Sequence, residues 1–147
     1  MKTFPSSKIR NVALAGHGHA GKTTLAEALL FTSGAINRLG RVEDGNTVCD
    51  FDPEEVKRKT SVSLSVAPFE VSGHKVNLID TPGYADFISD VSAALRVTDF
   101  LLFVVSGVEG VEVQTEIIWK MAARFGVPRG FFVNKLDRER ASFDRTV

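Results

Sequence analysis

Gly16-His17-Gly18-His19-Ala20-Gly21-Lys22-Thr23 is the stretch that most limits what this chain can fold into. It fits the pattern G-x-x-x-x-G-K-[ST], and both flanks are what that pattern requires. The apolar run Val12-Ala13-Leu14-Ala15 before it reads as a buried strand, and Thr24-Leu25-Ala26-Glu27-Ala28-Leu29-Leu30 after it reads as a helix. A glycine-rich loop between strand and helix turns successive backbone N–H groups inward around a phosphate chain. The helix start adds unpaired donors and a partial positive charge. Gly18, His19, Ala20, Gly21, Lys22, Thr23 and Thr24 are therefore expected to hold phosphates. Lys22 is expected to reach the β- and γ-phosphates and the Thr23 hydroxyl to bind Mg²⁺. The sequence predicts a nucleoside-triphosphate site.

A chain of 147 residues is long enough for one domain with a real core. Its 18 basic and 18 acidic residues balance, so bulk charge points to neither nucleic acid nor an anionic membrane. The longest apolar run, Phe100 to Val105, is too short to span a bilayer, and Met1 to Pro5 lacks a signal-peptide core. Cys49 is the single cysteine, so no internal disulfide is expected. The expectation is a cytoplasmic, monomeric chain with no membrane partner and no sequence-specific DNA partner.

Residues 1–8 read as a lead-in to a strand over Ile9–Ala15. The helix after the glycine loop is expected to bury Leu25, Ala28 and Leu29 and to stop at Gly34. From Ile36 to Thr60 periodicity disappears, which predicts a long functional loop ordered only by ligand contacts. Val62, Leu64 and Val66 alternate with serines, a half-buried strand pattern. Ser72-Gly73 then turns into a second strand, Lys75–Asp80, giving an antiparallel hairpin. A helix is expected over Ala85–Val97, a fully covered strand at Phe100–Val105, and a helix marked by Ile117, Ile118, Met121, Ala122 and Phe125. Gly130–Val133 reads as another interior strand, and the chain ends at Val147 in what reads as one more helix start. Alternating strands and helices predict a mostly parallel α/β sheet with helices on both faces. Ligands of such sheets bind beyond the strand carboxyl ends, where the glycine loop, Asp80 and Asn134 all lie.

Asp80-Thr81-Pro82-Gly83 follows an apolar strand. In phosphate-loop enzymes an Asp there holds Mg²⁺ and the Gly N–H meets the γ-phosphate. Asn134-Lys135-Leu136-Asp137 follows another. The Asp137 carboxylate offers two acceptors that match the adjacent N1–H and N2–H₂ donors of guanine. Lys135 can lay its stem against the ring, and Asn134 can tie this loop to the phosphate loop. Together they favour GTP over ATP. Two weaker signals are set aside. Asp50–Ser61 lacks the Gly and Glu of a calcium loop, and His17 and His19 have no third ligand nearby in sequence.

At these residues the chain resembles the GTP-binding (G) domain of the translational GTPases, most closely the elongation factor G group and its elongation-factor-G-like paralogues. The resemblance covers nearly all of the sequence, including Asp50-Phe51, Asp86-Phe87 and Gly107–Gly110. It implies a phosphate-loop G-domain fold, Mg²⁺-dependent GTP hydrolysis stimulated by the ribosome, and a GTP/GDP conformational switch. It implies catalytic roles for Lys22, Gly83 and the residue after Gly83, and metal ligation by Thr23, Asp80 and a switch hydroxyl. Arg58-Lys59-Thr60-Ser61 stands where the family has Arg-Gly-Ile-Thr, which puts Ser61 at the metal position with Thr60 the adjacent candidate. The family's water-positioning His is Tyr84 here, its apolar gate is Gly18 and Thr60, and its phosphate-loop Asp is His19. The loop that closes over guanine in the family would fall beyond Val147. The expectation is thus a G domain over 1–147 lacking its last elements, taken from a longer multidomain factor. Two rivals remain: a GTP/GDP binding switch with negligible hydrolysis, and a phosphotransferase, which Asp137 and the lack of an acceptor site disfavour. Translocation, ribosome splitting and ribosome protection are equally compatible with these residues.

Overall fold

The computed structural model describes residues 3–146. A five-stranded sheet runs in the order β2-β3-β1-β4-β5, formed by β1 (Ile9–Ala15), β2 (Ser65–Val71), β3 (His74–Asp80), β4 (Phe100–Ser106) and β5 (Arg129–Asn134). The β2–β3 pair is antiparallel and the other three are parallel. Side-chain parity along the strands divides the core. Ala13, Ala15, Ile79, Leu101, Phe103 and Val105 face one side, where α3 (Ile88–Leu95) and α4 (Val113–Arg124) cover them with Val91, Leu95, Ile118 and Ala122. Leu14, Leu78 and Val104 face the other, under Ala26 and Leu30 of α1 (Lys22–Thr32). Helices thus cover both faces, as expected for a mostly parallel sheet.

Five local expectations change. In α1 the buried residues are Lys22, Thr23, Ala26, Glu27 and Leu30; Leu25 and Leu29 are half-buried and Ala28 is exposed. The sheet covers one side of this helix, and the following segment covers another by bonding Gly40 N and Val48 N to the Glu27 carboxylate. That same segment is not featureless. A short helix, α2 (Pro53–Arg58), starts at Asp52, whose side chain accepts from Glu54 N while Glu55 reaches back to Asp52 N. This capping box with Pro at the first position was legible as Asp52-Pro53-Glu54-Glu55.

Strand β2 begins at Ser65 and buries Ala67, whereas Val66 is 57% exposed. Residues 62–64 cannot join the ladder because Val62 N and Ser63 N bond the Glu55 carboxylate and Leu64 N bonds Asp90. Among the described residues only the α1 side of this sheet edge is covered, so Ala67 rather than Val66 meets the core. In the fourth change, β5 pairs with β4 alone and is an edge among the described residues, leaving Phe131 and Phe132 substantially exposed. Fifth, residues 138–146 form turns rather than a helix, and Val147 lies outside the described residues. A 3₁₀ turn at Ala85–Phe87 precedes α3. Among the described residues no helix is long and apolar enough to cross a membrane.

Candidate nucleotide site

The carboxyl ends of β1, β3 and β5 open onto one cleft of about 740 Å³. It is lined by Gly18, His19, Gly21, Lys22, Thr23 and Thr24 from the phosphate loop, Thr60 and Ser61, Gly83, and Asn134, Lys135 and Asp137. Ala20 is fully buried and contributes through its carbonyl, which accepts from Asn134 Nδ2 at 2.9 Å. Gly21, at φ 98°, has no room for a Cβ because Asn134 Nδ2 occupies that place. The Asn134–Asp137 loop and the phosphate loop are therefore joined directly.

Lys22 is 6% exposed, and its ammonium donates to the carbonyls of Gly16 (3.1 Å) and His17 (2.9 Å), curling the loop around itself. Burial lowers its pKa, opposed by the carboxylates of Asp80 and Asp50. A Cβ on Gly83 would lie 2.5 Å from Lys22 Nζ and 2.7 Å from Gly18 N, so only glycine allows the segment after β3 to come this close.

The metal candidates meet beneath this loop. Thr23 Oγ1 donates to Asp80 Oδ2 at 2.6 Å and lies 3.2 Å from Ser61 Oγ. Ser61 also donates to Asp50 Oδ1 at 2.6 Å. Asp80 is 1% exposed, its Oδ1 has no hydrogen-bond partner, and burial pushes its pKa up to about 6 against the Thr23 bond and the Lys22 charge. A buried carboxylate oxygen without a partner, beside two hydroxyls, is a set of hard oxygen donors that fits Mg²⁺. Of the two adjacent candidates, it is Ser61 whose hydroxyl reaches Thr23. Asp50, which sequence reasoning left out of the site, is buried and bonded to Ser61; burial raises its pKa, the Ser61 bond opposing.

Tyr84 stands elsewhere than the cleft wall. Its ring covers Gly18, where a Cβ would sit 3.0 Å from Tyr84 Cζ, and its hydroxyl is 2.8 Å from His19 Nε2. The two rings meet edge-on at 6.0 Å. The Tyr84 side chain makes no capping bond to the 3₁₀ turn it precedes. On the base side, Lys135 adopts a left-handed φ of 59° with its ammonium 3.6 Å from Glu109 Oε2, and the Asp137 carboxylate is solvent-exposed and 3.9 Å from Arg138. His17 is buried with both ring nitrogens lacking hydrogen bonds, and Glu112 Oε1 is 4.0 Å from Nε2. Burial chiefly lowers the His17 pKa, with Glu112 opposing.

Comparison with known proteins places this geometry. Residues 7–147 match the family model described as the elongation factor Tu GTP binding domain. The chain is 46% identical over 97% of its length to a mitochondrial ribosome-releasing factor 2 of Yarrowia lipolytica, of which it covers 18%. It is 47% identical over 92% of its length to an elongation factor G-like protein of Mycobacterium tuberculosis, of which it covers 19%. A crystal structure of a Thermus thermophilus protein superposes with a TM-score of 0.86 at 48% identity, over 90% of this chain and 20% of that one. The chain thus spans about a fifth of the length of these relatives. With the phosphate loop, the Asp80–Gly83 turn and the Asn134–Asp137 loop on one cleft, the chain belongs to the family of the elongation factor Tu GTP binding domain, as a guanine-nucleotide-binding GTPase domain of the elongation-factor-G type.

Proposed function

We infer that this domain binds GTP with Mg²⁺ and hydrolyses the γ-phosphate slowly alone and faster on the ribosome, serving as the switch of a longer, multidomain translation factor. The observation that carries this reading is the convergence of Thr23, Ser61 and the unpartnered Oδ1 of Asp80 directly under the phosphate loop. Thr23, Ser61 and Asp80 would hold Mg²⁺, which would supply charge neutralisation for the phosphates. Lys22 would exchange its carbonyl partners for phosphate oxygens, and Gly83 N–H would meet the γ-phosphate. A water in line with the leaving oxygen then attacks phosphorus, and the bond to the bridging oxygen breaks to give GDP and phosphate. Tyr84 is assigned the orienting of that water, its phenol hydroxyl acting as a hydrogen-bonding group. Asp137 selects guanine.

One observation favours a second reading, a binding switch with negligible hydrolysis: the Tyr84 hydroxyl is engaged by His19 and stands outside the cleft wall. Multiple-turnover phosphate release from the natural full-length protein, with and without ribosomes, separates the two. Stimulated turnover supports hydrolysis; binding of both nucleotides without turnover supports the switch. Ribosome splitting, protection and translocation are activities of the whole factor, tested by subunit dissociation and translocation assays. Work in the cytoplasm belongs to the same proposal and is tested by fractionation, the mitochondrial name of one relative defining the competing compartment.

A further inference from the structure

The loop between β4 and α4 takes no part in the function above, yet it is built into the base side of the cleft. It opens with Ser106, fully buried at the end of β4. A tight turn follows, in which Gly110 N donates to Ser106 O at 2.8 Å with Gly110 at φ 78°. Within this turn the Ser106 hydroxyl donates to Glu109 Oε2 and accepts from Val108 N at 3.3 Å. The same carboxylate oxygen lies 3.6 Å from Lys135 Nζ. The Ser106 bond, with Lys135 adding to it, holds the Glu109 carboxyl below its usual range. Gly107 closes the contact between the two loops: its N–H donates to Asn134 O at 2.8 Å, and a Cβ there would press within 2.9 Å of Leu136.

An ion pair between two solvent-facing side chains ordinarily contributes little, because ordering both costs as much as the attraction returns. Here the acid is already ordered by a buried hydroxyl and a closed turn, so the cost falls on Lys135 alone. We propose that Glu109 is a positioning residue for the guanine site, acting through Lys135 by holding its ammonium at the rim so that the aliphatic stem stands as a wall for the purine. The proposal rests on the guanine-nucleotide reading of the cleft. Fixing the lysine before the nucleotide arrives removes an ordering cost from binding and slows release of GTP and GDP alike. It leaves base choice to Asp137.

The test is dissociation of fluorescent GDP and GTP analogues from the natural protein, followed by stopped flow. Glu109→Gln keeps the shape and an acceptor for Ser106 and removes the charge. Release of both nucleotides is expected to speed up about two- to fivefold. The parent's release rate is expected to rise with KCl more steeply than the variant's, and the preference for guanine over xanthine nucleotides to stay where Asp137 sets it. In a Lys135→Met background the Glu109→Gln effect should vanish, which a role confined to folding the loop would not produce. Release at the parent rate, or the same acceleration with and without the lysine, overturns the proposal. A parent that fails to prefer guanine over adenine nucleotides overturns the cleft reading itself, and that result is visible before any variant is made.

Discussion

The hydroxyl of Tyr84 lies 2.8 Å from Nε2 of His19, a hydrogen bond that fastens the segment after β3 to the phosphate loop. The ring rests on Gly18, where any side chain would intrude. Three positions that differ from the family pattern are thus in mutual contact, and the small residue makes room for the large one. If the phenol orients water, it must leave His19 or share its oxygen with that water. In the full-length factor, Tyr84→Phe is expected to lower ribosome-stimulated hydrolysis about tenfold, one neutral hydrogen bond's worth, with GTP affinity nearly unchanged. Hydrolysis at the parent rate would show that another group places the water. A ¹³Cζ-tyrosine label gives a Tyr84 resonance, identified by its loss in Tyr84→Phe and expected to move in His19→Ala.

Asp137 is the residue proposed to select guanine. Its carboxylate is exposed in the cleft, with Arg138 3.9 Å away, so its acceptor oxygens are available to guanine donors. Asp137→Asn should weaken GTP binding by about 1.5–3 kcal/mol, the contribution of a charge-assisted pair. It should also shift preference toward xanthosine nucleotides, read by competition titration. Equal affinity of the parent for GTP and ATP would remove the assignment.

The segment from Ile36 to Thr60 is pinned by the Glu27 carboxylate, which accepts from Gly40 N and Val48 N. Glu27→Ala leaves two N–H groups without their partner, at about 1–3 kcal/mol each where they stay buried. Trypsin is therefore expected to cut at Lys57-Arg58-Lys59 several-fold faster in the variant than in the parent. A non-hydrolysable GTP analogue should slow cutting of the parent. Equal rates for parent and variant would show that Glu27 does not hold the segment.

The hydroxyl of Ser61 is 3.2 Å from that of Thr23, while the neighbouring Thr60 offers the alternative ligand. Ser61→Ala should raise the Mg²⁺ concentration needed for tight GTP binding several-fold, whereas Thr60→Val should not. The reverse ranking, measured by Mg²⁺ titration of nucleotide release, would move the ligand by one residue.

His17 is buried and neutral, with its pKa lowered by burial. A group whose folded pKa lies below its unfolded value of about 6.5 contributes stability above that value. The contribution is lost as pH falls from about 6.5 through the folded pKa. Relative to the parent, His17→Gln should therefore lose less stability between pH 7 and pH 5, measured by urea denaturation. Parallel pH profiles would place the proton elsewhere.

The sequence by itself determined the phosphate loop, the β2–β3 hairpin, the parallel strands and the three strand-end motifs, because each rests on local spacing and turn chemistry. Asn134 was expected to tie the base loop to the phosphate loop, and it does so through the Ala20 carbonyl. Tertiary structure alone decided which face of each amphipathic segment was covered. Val66 alternates as a strand should, yet is exposed because none of the described residues covers that side at the sheet edge. Ala28 sits on α1's apolar stripe, yet faces the cleft. The long segment before β2 lacks periodicity because its order comes from Glu27 and Glu55 accepting distant backbone N–H groups. Asp50 and Glu109 likewise carry no local signature; Asp50 meets Ser61 across eleven residues and Glu109 meets Lys135 across two elements. A carboxylate's partner is set by what the folded chain brings within 3–4 Å of it, and that distance is written in the packing of the sheet, not in the neighbouring letters.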